Sequence, residues 1–534
     1  MNTKYNLVFI IYILTAGVIA YSNSFDCSFH FDDKLVFQSS VTGDTASIGD
    51  WLRPHPARPI GMLTFALNYN IHKLDVWGYH LVNLIIHLIN ALLVWWLTFI
   101  TFSTPAMKDA PVSGHKSVIA FLTGLLFITH PLATQSVTYI VQRFTSLATL
   151  FYLLSLILFV KGRLQENNKT VLFLFCASIV FGVCGMLTKE IVFTLPFAII
   201  LYDYCFIKTS SWKSELKDKR LIFSFVMLAI FILFFLRNYS LDIFNAVPPN
   251  QGYSSSISMK EYFFTEFQVI LTYIRLFILP FNQNLDYDYP VSTGFFQLKT
   301  FLSFSVLLGI LTAGVLMFKK YRLISFGIFW FFLTSSVESS IIPISQDVIY
   351  EHRTYLPSFG FFLAMTGVFF YFFREKYLNV AVIIIIMIAT VNTVLTYQRN
   401  KIWKDDYTLW ADCVKKSPNK VRVHLNRGVA YTRLGQYQRA IEDYNEAIRL
   451  NPDLAEVYND RGVAYRKLGQ YQRAIEDYNE AIRLNPDLAE VYYNRGDAYL
   501  SQSNNELGCR DAQKACELGD CQLLELAKVK GDCR

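Results

Sequence analysis

Long apolar blocks separated by short polar loops fill the chain from Tyr5 to Tyr397, after which the pattern turns polar and helical. A helix needs about 20 mostly apolar residues to cross a bilayer. Eleven blocks are read as spans by that measure. They run Tyr5–Tyr21, Tyr79–Phe102, Val118–Val141 (broken at Pro131), Phe144–Val160, Val171–Leu187, Ile191–Ile207, Leu221–Leu236, Phe301–Phe318, Leu323–Ile344, Leu356–Phe373 and Tyr377–Tyr397. A twelfth block, Tyr262 to Leu279, carries Glu266 and Arg275. It is read as a helix lying in the interface or re-entering from the outer face, because counting it as a span would break the charge pattern described next.

The distribution of charge orients these spans. Cytoplasmic loops of membrane proteins collect Lys and Arg. With a cytoplasmic N-terminus, every second loop is basic: Lys108 and Lys116; Lys161, Arg163 and Lys169; Lys208, Lys213, Lys217, Lys219 and Arg220; Lys319, Lys320 and Arg322; Arg374 and Lys376. Composition agrees, with 53% hydrophobic and only 17% charged residues. The net charge of +7 is therefore a loop property, and nucleic acid is not an expected partner. The first block, with small residues at Ala16 and Ala20, has an alternative reading as a cleaved signal peptide.

Beyond the last span the sequence repeats itself. Leu434–Tyr458 recurs unchanged as Leu468–Tyr492, a period of 34 residues, which is the length of the tetratricopeptide (TPR) helix pair. Gly428, Ala430 and Tyr431 belong to the first helix of one unit, and Tyr437, Ala440, Ile441, Tyr444 and Ala447 to the second. Pro418, Pro452 and Pro486 separate the units, since proline cannot continue a helix. Thr408–Pro418 matches a leading half-unit, with Cys413 at the place of Ala447. About three repeats follow the last span and are expected on the outer face. Asn426, Asp460 and Asn494 recur at the repeat period. Such positions either line a concave groove, where an amide bonds an extended peptide backbone, or form a plain solvated face. Cys509, Cys516, Cys521 and Cys533 follow; on the outer face, disulfides that staple the end of the array are expected, in any of three pairings. The expected organisation is thus all-α: a polytopic domain over 1–400, a linker and half-repeat over 401–417, repeats over 418–518 and a cysteine-bearing cap over 519–534.

Residues suited to chemistry gather in the loops expected outside. They include Phe31-Asp32-Asp33 and Arg58-Pro59, Trp77-Gly78-Tyr79-His80, His130-Pro131 with Arg143, Lys189-Glu190, Arg237, and Glu351-His352-Arg353. Each has an ordinary structural reading as a cap, an ion pair or a headgroup anchor. Together they place both signs of charge at one membrane boundary, where charge is costly and usually faces a cavity or a partner.

These motifs, in this order, resemble the transmembrane and tetratricopeptide-repeat-containing O-mannosyltransferases. The most specific parts are Trp77-Gly78-Tyr79-His80-Leu81-Val82-Asn83 and the trailing repeats; Asp32-Asp33, His130-Pro131, Lys189-Glu190 and Arg353-Thr354-Tyr355-Leu356-Pro357 support them. His352 stands where the family more often shows Glu before Arg, and the short, near-perfect repeat array suggests a bacterial member in the inner membrane. The resemblance implies a C-type glycosyltransferase fold. It implies transfer of a sugar, mannose by analogy, from a polyprenyl-phosphate carrier to a hydroxyl of a protein on the periplasmic face, by one inverting displacement. Asp33 or Asp32 is then the base. Arg353, Arg143, Lys189 and Arg237 are candidates for the donor phosphate. Glu190, His130, His80 and His352 position the sugar or acceptor, and Asn426, Asp460 and Asn494 line the repeat groove. No cofactor or metal is expected. The alternatives are a non-catalytic membrane-anchored scaffold and a transferase acting on a glycan or lipid.

Overall fold

The structure is a computed structural model that describes residues 3–37, 48–52, 55–207, 257–339, 347–373 and 375–533. The expected span Leu221–Leu236 and Arg237 lie outside the described residues. Among the described residues every regular element is helical. The described residues divide into two units: one taking in most residues through Asp405, the other running from Asp406 with Asp286–Asp288.

The first unit contains α1 (Thr3–Tyr21), α2 (Pro59–His72), α3 (Val76–Thr101), α4 (Lys116–Thr129), α5 (Arg143–Leu164), α6 (Asn168–Met186) and α7 (Leu195–Tyr202). It continues with α8 (Met259–Ile278), α9 (Leu298–Met317), α10 (Arg322–Ser335), α11 (Pro357–Phe372) and α12 (Leu378–Asn400). Among the described residues, seven helical segments are long and apolar enough to cross a membrane, and an eighth if the pair Ser113–Thr129 and Pro131–Val137, bent by 51°, is one broken span. The bend falls at Pro131, where the ring removes a donor. This is a multi-pass membrane protein. Two further apolar helices, α10 and α11, are shorter than the spans expected for them. The expected span Leu323–Ile344 ends its helix at Ser335, in a run of Thr334, Ser335 and Ser336, and Glu338 beyond it is drawn into an ion pair. α8 is not counted among the spans. Its first turn is locked by a capping box between Ser258 and Glu261, and its buried face carries Tyr262, Glu266, Tyr273 and Phe277.

Close packing explains two glycines. Gly327 on α10 and Gly360 on α11 face one another so closely that a Cβ on either would collide with the carbonyl of the other. Only two bare backbones allow this approach. α3 runs the length of the unit, capped at its start by Asp75, whose side chain accepts from Trp77 N (3.1 Å). Near its start, Tyr79 O accepts from Arg143. Near its end, Lys161 and Lys116 lie over the rings of Trp96 and Phe99. Arg163 pairs with Asp203 (2.6 Å) and Arg322 donates to Cys205 O, so basic residues from several loops of the expected cytoplasmic set tie helix ends together.

The second unit is a stack of antiparallel helices: α13 (Asp406–Lys416), α14 (Val421–Arg433), α15 (Tyr437–Leu450), α16 (Ala455–Lys467), α17 (Tyr471–Leu484), α18 (Ala489–Ser501), α19 (Asn505–Glu517) and α20 (Gln522–Lys530). Gly428 lies under the ring of Tyr444 and Gly462 under that of Tyr478, so one close helix approach is made twice. Gly435 and Gly469 take φ of +71° and +75° after the first helix of each pair, a left-handed turn that glycine adopts without strain. Cys413 is buried in the leading helix, as Ala447 is one unit later. Of the three pairings open to the C-terminal cysteines, the structure forms Cys509–Cys533 and Cys516–Cys521.

Candidate active site

The loop after α1 brings the two aspartates together and gives them different surroundings. Asp33 opens a short helix, Asp33–Val36, and is fully buried. Its Oδ2 accepts from His30 N (2.9 Å) and its Oδ1 from Val141 N (2.6 Å). The Asp33 carboxylate therefore fastens this loop to the turn just before Arg143. Burial pushes its carboxyl up to about 7, against the two N–H bonds, which favour the anion. Asp32 is only partly buried, and its backbone N donates to Tyr139 Oη (2.9 Å). His30 completes the anchor through Nε2, which donates to Trp403 O (2.6 Å).

Three cations act electrostatically on His352. The imidazole is held well below its usual range by burial and then by Lys189, Arg353 and Arg58, each near enough to oppose its protonation. The cations come from loops far apart in sequence, and each faces a carboxylate. Arg58 makes a two-pronged contact with Glu190 (2.9 and 3.1 Å). Lys189 pairs with Glu338 (2.7 Å) and donates to Thr145 Oγ1 (2.9 Å). Arg353 donates to Tyr262 Oη and Val348 O, both at 3.1 Å, and lies 3.8 Å from Glu266. Arg58 is the most open of the three, with its side chain 28% exposed. Paired charges in a dry setting hold one another in place, so the cations stand oriented before any ligand arrives.

The segment from His130 to Thr145 links the two clusters. Val141 N holds Asp33, Gln135 Oε1 accepts from His352 N (3.2 Å), and Thr145 holds Lys189. Pro131 and the short turns after it make this path, because a straight helix could not present Gln135, Val141 and Thr145 to three separate loops.

Other expected site residues are built into the scaffold. Arg143 is fully buried, and its guanidinium donates to Asn83 Oδ1 (2.6 Å), Asn68 Oδ1 (2.8 Å), Tyr79 O and Thr64 O. With Phe65 against its face at 4.4 Å, it ties α2, α3 and α5 together. His80 Nε2 donates to Cys27 O (3.0 Å). His130 caps the turn after α4 by accepting from Leu132 N, and its Nε2 donates to Phe277 O (3.1 Å). Glu338, Tyr262 and Thr145 belong to the site but stood out in no motif. The signal for Glu338 was a lone carboxylate at the end of an apolar block, a costly placement that calls for a cation. Among the described residues no group of three or more His, Cys, Asp or Glu is arranged to hold a metal ion.

In the repeats, the positions Asn426, Asp460 and Asn494 fall on the first helices of successive pairs. Asn426 Nδ2 donates to Arg422 O on its own helix, and Asn494 Nδ2 to Asn459 Oδ1 (3.0 Å). Asp460 is partly buried; burial, then Glu490 and Glu456, push its carboxyl up to about 7. Asn459, one residue off the repeating column, is a partner that the period did not reveal.

Residues 428–469 and 464–503 match the TPR repeat family model. The chain is 26% identical over 402 residues to the protein O-mannosyl-transferase F38B6.6 of Caenorhabditis elegans, a match covering 73% of this chain and 53% of that protein. It is 24% identical over 524 residues to the protein O-mannosyl-transferase Tmtc3 of Drosophila melanogaster, covering 83% and 55%. The chain is homologous to these proteins along most of its length, and it spans about half the length of the curated relatives it matches. Among solved structures, ArnT from Cupriavidus metallidurans bound to undecaprenyl phosphate is similar with a TM-score of 0.40 at 12% identity, over 92% of this chain and 81% of that one.

Proposed function

We propose, from the premise of homology to the protein O-mannosyl-transferases, that this chain is a membrane glycosyltransferase. It moves a sugar, mannose by that kinship, from a polyprenyl-phosphate carrier to a hydroxyl of a protein acceptor on the outer face of a bacterial inner membrane. The observation that carries the reading is the set of cations Lys189, Arg353 and Arg58, each facing a carboxylate, with Lys189 tied through Thr145 to the segment that also holds Asp33. A scaffold has no need for two buried cations, Lys189 and Arg353, with the half-buried Arg58 near them.

The residues divide the work as follows. The carrier phosphate leaves with negative charge, and Arg353, Lys189 and Arg58 lie where that charge is stabilised. Glu190, Glu338 and Glu266 hold these cations in place. The neutral His352 adds a hydrogen-bonding group without adding repulsion. Asp32 is the base. It is the aspartate left partly open, so it can take the proton from the acceptor hydroxyl as the oxygen attacks the anomeric carbon and the carrier phosphate departs. Asp33, with both oxygens occupied by backbone N–H groups, is a positioning residue. Arg143, His80 and His130 hold the frame around the site. The cations stabilise the leaving group, and no cofactor is proposed. The repeats, on the same outer side, receive an extended segment of the acceptor along the face bearing Asn426, Asp460 and Asn494.

The test is direct. The purified chain is incubated with a panel of polyprenyl-phosphate sugars and periplasmic proteins, and sugar added to protein is read by mass spectrometry. Transfer from one donor, abolished in Asp32→Asn, supports the reading. No transfer from any donor, with the chain folded and the acceptors intact, rules it out.

A further inference from the structure

The first unit has an apolar groove remote from the aspartates and from His352. It is a hollow of about 400 Å³ formed by Ile10 of α1 with Ile89, Leu92, Trp95, Trp96 and Phe99 of α3. Both helices are membrane spans, so the groove opens where lipid chains are the solvent. An empty apolar hollow at that depth is filled by a chain of its own polarity.

One end of the groove carries charge. Lys161, in the last turn of α5, lies with Nζ 4.8 Å from the Trp96 ring centroid. Lys116, the first residue of α4, lies with Nζ 5.2 Å from that of Phe99. Both rings line the groove. Each ammonium group is thus placed over a ring that lines the groove. Neither makes an ion pair among the described residues, whereas nearby Arg163 is neutralised by Asp203. Trp95 Nε1 is buried with no acceptor among the described residues.

We propose that this groove is a binding site for an anionic glycerophospholipid. One acyl chain lies against Leu92, Trp95 and Ile10, and the phosphate is held between Lys116 and Lys161. The charge pattern selects a net-negative headgroup, because a zwitterionic lipid brings its own cation into a mouth that already has two. The chain's apolar contacts and the two ammonium groups act together, which separates this site from the general lipid annulus.

The experiment uses the full chain in detergent, with phosphatidylglycerol or phosphatidylcholine of the same acyl chains added at equal concentration. Retained lipid is counted by native mass spectrometry. Wild type is expected to keep one phosphatidylglycerol under conditions that strip phosphatidylcholine. Lys116→Gln combined with Lys161→Gln should reduce that preference roughly tenfold. Leu92→Trp, which fills the groove, should lower retention of phosphatidylglycerol while both lysines remain. Equal retention of the two lipids by wild type overturns the proposal without any variant. Unchanged preference in the double lysine variant overturns the headgroup assignment, and unchanged retention in Leu92→Trp overturns the groove.

Discussion

In the repeats, Arg427–Asp443, Arg461–Asp477 and Arg495–Asp511 are the same ion pair made three times, each joining residues 16 apart. In the membrane unit, Arg58 reaches Glu190 across 132 residues, and no second copy of that pair exists among the described residues. Both kinds of pair are well formed. The repeated pairs clip one helix of a unit to the next, and their regularity marks them as architecture. The unrepeated ones bring Arg58, Lys189 and Arg353 from separate loops to His352, a concentration of charge that packing alone does not require. Periodicity thus marks the repeated pairs as architecture, while unrepeated pairs such as Arg163–Asp203 and Arg58–Glu190 have to be sorted by where they lie.

The sharpest way to break this comparison is at the aspartates. Asp32→Asn should lower sugar transfer by about 10²–10⁴-fold, the range for loss of a general base, with little change in thermal stability. Equal transfer by wild type and Asp32→Asn would put the base elsewhere. Next in size is Arg353→Ala, expected to reduce transfer by about 10²–10³-fold and to weaken binding of the lipid donor, as loss of a preorganised charge does. Donor affinity equal to wild type in a binding titration would remove Arg353 from the phosphate site.

In the second unit the larger effects should come from its cross-links. Opening Cys509–Cys533, which closes a separation of 24, should lower stability by about 3.5 kcal/mol, against about 2 kcal/mol for Cys516–Cys521 with its separation of 5. Single Cys→Ser variants followed by denaturant unfolding of the repeats would show the order; the reverse order would deny that loop length decides it. A single repeated pair matters less. Arg461→Ala should cost about 1 kcal/mol in the same assay and leave transfer to a short peptide unchanged.

The smallest test concerns pH. The Asp33 carboxyl titrates near 3.8 when free and near 7 when folded. Between those values the folded chain holds a proton that the unfolded chain has released. The stability this group contributes is therefore complete below about 4 and is lost as pH rises through about 7. The melting temperature of the membrane unit should fall from pH 5 to pH 8 more in wild type than in Asp33→Asn. Parallel slopes would mean that Asp33 is ionised throughout.

Much of the fold was legible along the chain, because membrane spans and helical repeats both write their geometry as local pattern. The break at Pro131 and the leading half-repeat before Pro418 both follow from residue types within a few turns of one another. Span length was legible less well: α10 stops at Ser335 because Glu338 turns away to meet Lys189, a contact between loops remote in sequence. The candidate site was legible as a set of residues but not as an arrangement. Sequence placed Asp32 beside Asp33 and could not distinguish them. Only the fold presents Val141 N to one carboxylate and leaves the other partly open. Likewise Arg143 and Arg353 look alike as buried arginines on apolar segments. Tertiary structure surrounds Arg143 with Asn83, Asn68 and two carbonyls, and sets Arg353 among the cations around His352. The physical reason is the range of the forces involved. Hydrophobic period and turn chemistry act over a few residues and survive in a linear string. Desolvation, hydrogen bonding and charge pairing depend on which distant segments meet, and that is decided only when the chain has packed.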